Sequence, residues 1–162
     1  MTKDLDYIGI FKELNKKRIK YIVCGGLAVN LLGIPRMTYD IDLLVKMDDD
    51  NIGKLLKLLK SWGFKPKVPV YIKDFAIKEK RNACIKNKNM KTFCVINSKW
   101  AISEIDILID VPIDYEKAIK KVVFKQMDNI KIPVICVEHL VKMKKNTGRQ
   151  QDKADIKYLK EL

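Results

Sequence analysis

Two aspartates, Asp40 and Asp42, stand one residue apart in the segment MTYDIDLLVK, residues 37–46. Side chains alternate between the two faces of a strand, so Thr38, Asp40 and Asp42 share one face and Tyr39, Ile41 and Leu43 the other. The α-carbons of the aspartates then lie about 6.5–7 Å apart. Carboxylates held that close repel. A divalent cation between them reverses the sign, and hard cations such as Mg²⁺ or Mn²⁺ prefer oxygen ligands. The same pattern also describes the solvent side of an edge strand, so its surroundings have to decide. Upstream, Gly25-Gly26 separates the apolar run YIVC from LAVNLL. Glycines let backbone N–H groups approach a phosphate closely, although the segment lacks the G-K-[ST] of a P-loop and the G-x-G-x-x-G of a dinucleotide fold. In SEIDILID, residues 103–110, alternation puts Glu104, Asp106, Leu108 and Asp110 on one face. An acid in the middle of such an apolar strand is costly unless paired or metal-bound. Asp106 is therefore the candidate third carboxylate, with Glu104 as fallback and Asp110 as a strand-end residue. Three carboxylates beside a phosphate-binding turn suit phosphoryl transfer with two metals clamping the attacking and leaving oxygens.

The elements that must position these groups alternate along the chain. Leu5, Ile8, Phe11 and Leu14 recur at helical spacing over residues 4–19. YIVCG reads as a strand, LAVNLL as a short helix closed by Gly33 and Pro35, MTYDIDLLVK as a strand and residues 48–63 as a helix ended by Gly63. Over residues 64–100, PVYIKDFAIK, RNACIK and KTFCVIN are expected as strands of a meander with KNKNM (86–90) as a turn. SEIDILIDV is a further strand. A helix over IDYEKAIKKV, one or two strands in KQMDNIKIPVICV and a helical tail from Glu138 to Leu162 follow. The expected class is α/β (α+β): one mixed sheet flanked by helices in a single domain, with a core over about residues 1–136 and a tail over about 137–162.

The chain of 162 residues carries 33 basic and 20 acidic residues, a formal charge of +13. Such an excess raises the local concentration of polyanions, nucleic acid first, while a lysine-rich composition can also reflect genome or habitat. The four cysteines form no C-x-x-C pair and the single histidine is His139, which argues against a zinc site. Cys24 and Cys136 read as buried apolar residues of a reducing compartment. No apolar run approaches the ~18 residues of a membrane span and the N-terminus does not read as a signal peptide, so the expected location is cytoplasmic, with no membrane partner.

GGLAVNLLG followed by R-M-T-Y-D-I-D resembles the nucleotidyltransferase superfamily of DNA polymerase β, and within it the small bacterial and archaeal proteins related to the abortive-infection toxin AbiEii. The tail LVKMKKNTGRQQDKADI is similar to the C-terminal segment of that group. The resemblance implies a nucleotidyltransferase-like core and a Mg²⁺-dependent enzyme (Mn²⁺ as alternative). Such an enzyme moves a nucleoside monophosphate from an NTP to a hydroxyl, on RNA such as a tRNA 3′ end or on a protein. It further implies that Asp40 and Asp42 ligate both metals and that Asp106 ligates the catalytic metal and helps deprotonate the acceptor. Gly25 and Gly26 would hold the triphosphate and Lys144 would lie near it, while Arg36 and Thr38 match the pair before the acids. Many members carry serine where Gly26 stands, and Gly-Gly marks the AbiEii-like branch. A toxin role with a cognate antitoxin would follow from the same likeness. Read without it, Arg149, Asp152 and Asp155 are neighbours at i,i+3 spacing: either a salt bridge that orients the tail, or Asp152 aiming Arg149 at nucleotide or acceptor. The alternative function is a non-catalytic nucleic-acid-binding or antitoxin-like module. Cationic antibiotics, acceptors for some relatives, would be repelled by the positive charge.

Overall fold

A run of four buried residues, Tyr21–Cys24 (β1), lies inside the sheet of this computed structural model, which describes residues 4–88, 90–145 and 147–162. Around it seven strands are ordered β3-β4-β5-β2-β1-β7-β6, the remaining six being β2 (Asp40–Val45), β3 (Lys65–Pro66), β4 (Thr92–Ile96), β5 (Glu104–Leu108), β6 (Val123–Met127) and β7 (Ile130–Val134). β1 pairs antiparallel with β2 and parallel with β7, β2 runs parallel with β5, and the β3–β4, β4–β5 and β6–β7 pairs are antiparallel. The sheet is mixed, as the interleaved pattern predicts.

The helices are α1 (Tyr7–Lys16), α2 (Gly25–Leu31), α3 (Asp49–Ser61), α4 (Lys78–Lys88), α5 (Tyr115–Ala118), α6 (Val137–Lys144) and α7 (Gln150–Leu159), with 3₁₀ turns at Ile72–Ala76 and Ile119–Lys121. α3 shows why these residues choose a helix. The Asp48 carboxylate accepts from Asn51 N–H at 2.7 Å, Asp49 and Asp50 fill the first turn, and Ile52, Leu55, Leu56, Leu58 and Leu59 bury one face. Each such side chain contributes about 1.5–3 kcal/mol when fully buried. Buried Asn51 bonds the N–H and C=O of Lys20 (2.8 and 3.0 Å) and the Lys46 carbonyl (2.8 Å), which fastens α3 to the chain flanking β1 and β2. Among the described residues no helix is long and apolar enough to cross a membrane.

The expectations over residues 69–90 and at Thr38 need correction. Within PVYIKDFAIK, Ile72–Ala76 form a 3₁₀ turn and Lys78 starts α4, in which RNACIK also lies, so neither segment is a strand. Phe75 stacks on Phe93 of β4 with ring centroids 4.1 Å apart, which pins the turn. Arg81 is buried and donates to the Phe75 carbonyl at 2.9 Å, the Met47 carbonyl at 3.3 Å and the Asp49 carboxylate at 3.2 Å. A helix anchored by a buried arginine leaves no apolar period to read. The expected turn at KNKNM falls partly on Asn89, outside the described residues, and its first residues belong to α4. The expected helical tail consists of two helices, α6 and α7. β2 starts at Asp40, so Thr38 precedes the strand instead of sharing its face.

Candidate active site

The register of the central strands decides which acids meet. Asp40 lies opposite Glu104 and Asp42 opposite Asp106 on the parallel β2–β5 pair, while Cys24 faces Asp42 from β1 and Cys94 faces Asp106 from β4. Residues in register share a face, so Cys24, Asp42, Asp106 and Cys94 form one row across four strands, with Asp40 and Glu104 one pleat away. Burial shapes the chemistry. Asp42 is pushed well above the usual carboxylate range, first by burial and then by the charges of Asp106 and Asp40, and Lys144 partly offsets this. Asp106 is raised as well, by burial above all, though a proton shared with Asp42 and a hydrogen bond from Cys94 pull the other way. Cys24 and Cys94 are held as thiols by burial and by the neighbouring acids.

Two observations test whether a cation fits this face. Asp106 Oδ1 is shielded from solvent and has no hydrogen-bond partner, a state that costs about 1–3 kcal/mol and that a cation would relieve. The donors on β2 and on the neighbouring Asp106 are carboxylate oxygens, which suit Mg²⁺ or Mn²⁺. Asp40, Asp42 and Asp106 could hold such an ion. Among the described residues, the one trio of donors within 4.8 Å of one another is Cys94, Glu104 and Asp106. Asp40 and Asp42 sit two residues apart on one strand, and that spacing keeps the Asp40–Asp42–Asp106 trio more open.

Gly25 and Gly26 start α2 directly after β1. Gly25 has φ +63°, which disfavours other residues, and a Cβ there would run into the Asp42 carboxylate. The glycine allows the turn to close over the acids. At Gly26 a Cβ would stand 3.0 Å from Arg36 Cζ and 3.1 Å from Thr38 Oγ1, so a serine would have to displace the arginine. Arg36 is not free to give way: its backbone N–H donates to Asn30 Oδ1 at 2.8 Å and its Nη1 to Asp155 Oδ2. Thr38 is tied in through its carbonyl, which accepts from the Tyr7 hydroxyl at 3.2 Å.

The C-terminal residues reach the same region. Lys144 is buried and its Nζ donates to Asp152 Oδ1 at 2.9 Å and pairs with Asp155 Oδ2 at 3.0 Å. Asp152 also accepts from Thr147 Oγ1 (2.6 Å) and Arg149 Nε (2.8 Å). Burial alone would raise Asp152; Thr147, Lys144 and Arg149 outweigh it and hold the carboxyl below its ordinary value. The Arg149 side chain is 74% exposed, so its bond to Asp152 leaves it at the surface. The chain Arg149–Asp152–Lys144–Asp155–Arg36 ends against Gly26. The salt-bridge reading of the i,i+3 pattern is what the geometry shows: Arg149 pairs with Asp152, and these bridges orient α7.

Sequence reasoning missed the link from Asp155 to Arg36, 119 residues apart, the approach of Cys94, and Lys67, whose Nζ lies 3.4 Å from Glu104 Oε1. Only the alternation in KTFCVIN could have signalled Cys94; the others leave no local trace. Asp110 lies beyond the end of β5, and His139 is buried, with its proton affinity lowered first by burial, Glu138 pulling the other way and Lys121, Lys142 and Lys117 adding to the fall.

A family model described as "Nucleotidyltransferase of unknown function (DUF6036)" matches residues 6–160. None of the curated proteins matches the chain. Among solved structures, the lincosamide antibiotic adenylyltransferase LnuA with lincomycin bound is similar at 18% identity and TM-score 0.63, covering 98% of each chain. The antibiotic-resistance factor ANT(2'')-Ia is similar at 10% identity and TM-score 0.56, over 93% of this chain and 78% of the other. An antigenic nucleotidyltransferase-like protein from Paracoccidioides brasiliensis is similar at 17% identity and TM-score 0.53, over 93% and 71%. At these identities the likeness is one of fold.

Proposed function

The chain belongs to the nucleotidyltransferase family DUF6036, and from that premise we propose that it moves a nucleoside monophosphate from an NTP to a hydroxyl, most plausibly on RNA. The observation that carries this reading is the pairing of Asp42 with Asp106 on adjacent parallel strands beside the Gly25 turn. Asp40, Asp42 and Asp106 would hold the divalent cation, which when bound neutralises charge on the phosphates and acidifies the attacking hydroxyl. Asp106 would also help to take the acceptor's proton. The acceptor oxygen bonds to the α-phosphorus, the bond from that phosphorus to the bridging oxygen breaks, and pyrophosphate leaves. Gly25 and Gly26 offer the backbone against which the triphosphate lies, with Arg36 and Thr38 fixing the turn. Lys144 moderates the negative field at Asp42, and Arg149 is an exposed cation joined to Lys144 through Asp152.

The formal charge of +13 favours a polyanionic acceptor. The AbiEii-like resemblance adds a toxin role and a cognate antitoxin as partner. A second reading, a small-molecule acceptor, is favoured by an antibiotic adenylyltransferase and an antibiotic-resistance factor among the structural neighbours; the charge opposes it for cationic compounds. Incubation with radiolabelled NTPs, Mg²⁺ or Mn²⁺ and total RNA or lysate tests the proposal. Label is expected in RNA, and Asp40→Ala is expected to reduce it by ~10³-fold, the upper range for losing one group that stabilises transition-state charge. RNA binding without transfer under any donor or metal would instead establish a non-catalytic module.

A further inference from the structure

A cavity of about 940 Å³ opens between the C-terminal end of α3, β3, the end of β4 and the segment that joins β4 to β5. Its rim carries Lys60, Lys65 and Lys99, and its wall is built on Trp62 and Trp100. None of the three lysines joins an ion pair among the described residues. The one acid on the lining, Asp4, accepts from the Ala101 N–H at 3.2 Å. The wall is fixed in place. The Trp62 and Trp100 rings lie 5.6 Å apart, Phe64 meets Trp100 edge-on at 5.3 Å, and Asn97 bonds the Trp62 carbonyl at 2.8 Å while accepting from Lys99 N–H at 3.0 Å.

The cavity stands close to the acids. Ile96 at its edge is in register with Glu104, and Glu104 with Asp40. Two strand spacings of about 4.8 Å put Ile96 about 10 Å from Asp40. Ile96 is 40% exposed, an apolar step between the lysine rim and the carboxylates. Three exposed lysines without ion-pair partners favour an anionic occupant, and the size of the cavity and its aromatic and aliphatic wall exceed what a simple anion fills. A single strand of nucleic acid meets both conditions, because phosphates pair with the rim while base and sugar faces cover the apolar surface. Resting on the acceptor reading above, we propose that this cavity docks the terminal segment of a single-stranded RNA, so that its end hydroxyl reaches the Asp40–Asp42–Asp106 face.

The chain contains two tryptophans, Trp62 and Trp100, and both line the cavity. Their emission therefore reports occupancy without reference to catalysis. An unlabelled 12-nucleotide oligouridylate is titrated while Trp emission is followed, and its fluorescein-labelled form is followed by anisotropy, with neither NTP nor metal present. Emission and anisotropy are expected to saturate together. Lys60→Glu/Lys65→Glu/Lys99→Glu is expected to weaken binding at least ~10-fold and to flatten the salt dependence by about 2 in log–log slope, since single strands release ~0.7 counterion per phosphate contact. Lys12→Glu/Lys16→Glu/Lys131→Glu, exposed positions on α1 and β7 with the same change in net charge, is expected to cost less than ~3-fold. Circular dichroism checks that both variants fold. Equal losses in the two variants, anisotropy that saturates with emission unmoved, or no binding by the wild-type chain would each overturn the proposal. So would label transferred to a protein in place of RNA. Transfer to RNA with an unchanged RNA KM in the cavity variant sinks the docking site and leaves the enzyme standing. Docking without transfer from any NTP does the reverse.

Discussion

The acids of β2 and β5 and the acids of α7 are sheltered in the same molecule under opposite terms. Asp152 and Asp155 are buried against Lys144, Arg36, Arg149 and Thr147, so each charge meets a counter-charge or a donor. Asp42 and Asp106 are neighbours of the same sign, one with an oxygen that nothing satisfies. The first cluster holds the protein together, because its pairs are complete within the chain. The second lacks a cation of its own, and that deficit is what makes it a candidate site. Carboxylates alone therefore say little about function; what matters is whether the fold supplies their partners.

The largest expected stability effect breaks the paired cluster. Lys144→Met leaves Asp152 and Asp155 facing each other without their shared amine. Loss of one member of a buried pair costs about 3–5 kcal/mol, which for a chain of this size lowers Tm by ~10 °C in a thermal melt. Arg149→Ala removes a largely exposed partner, and its effect is expected below ~1 kcal/mol. Equal effects from the two would mean that burial does not govern the cluster.

A smaller effect, of opposite sign, sharpens the contrast. Asp42 binds its proton more tightly folded than unfolded, so its contribution to stability is complete below the ordinary carboxylate range and fades as pH rises through its elevated folded value. Asp152 is lowered, so its contribution is complete above the unfolded value and is lost in acid. Asp42→Asn is accordingly expected to raise Tm of the metal-free protein at pH 8, by about 1–2 kcal/mol of stability, and to leave it nearly unchanged at pH 4, while abolishing transfer. A variant less stable than wild type at pH 8 would contradict the placement of a repelling carboxylate there.

A third effect concerns the cation. Mn²⁺ or Mg²⁺ competes with protons for Asp42 and Asp106, so the rise in Tm on adding metal should be larger at pH 8 than at pH 6. At a hundredfold excess over Kd the gain is about 2.7 kcal/mol, and less at the lower pH. Asp106→Asn should remove the metal response, whereas Arg149→Ala should keep it.

Much of this contrast was legible before any coordinates. Alternation in YDIDLLV and EIDIL put Asp40 with Asp42 and Glu104 with Asp106, and all four acids lie on the predicted faces. The apolar periods of α1 and α3 and the glycines at residues 25 and 63 located the surrounding elements. Residues 69–88 were misjudged because short apolar runs such as YIKDFAIK suit a strand as well as a turn, and because Arg81, the residue that anchors α4, is polar.

What the sequence determined by itself is the direction in which each side chain points along its own element, since that follows from the two-residue period of the strand and the covalent backbone. Which strands became neighbours, and with what register, was decided only in three dimensions. Asp42 meets Asp106 at a separation of 64 positions and Arg36 meets Asp155 at one of 119. Such pairings depend on the burial gained by the whole sheet against the entropy of closing long loops, a balance that no short stretch of residues encodes.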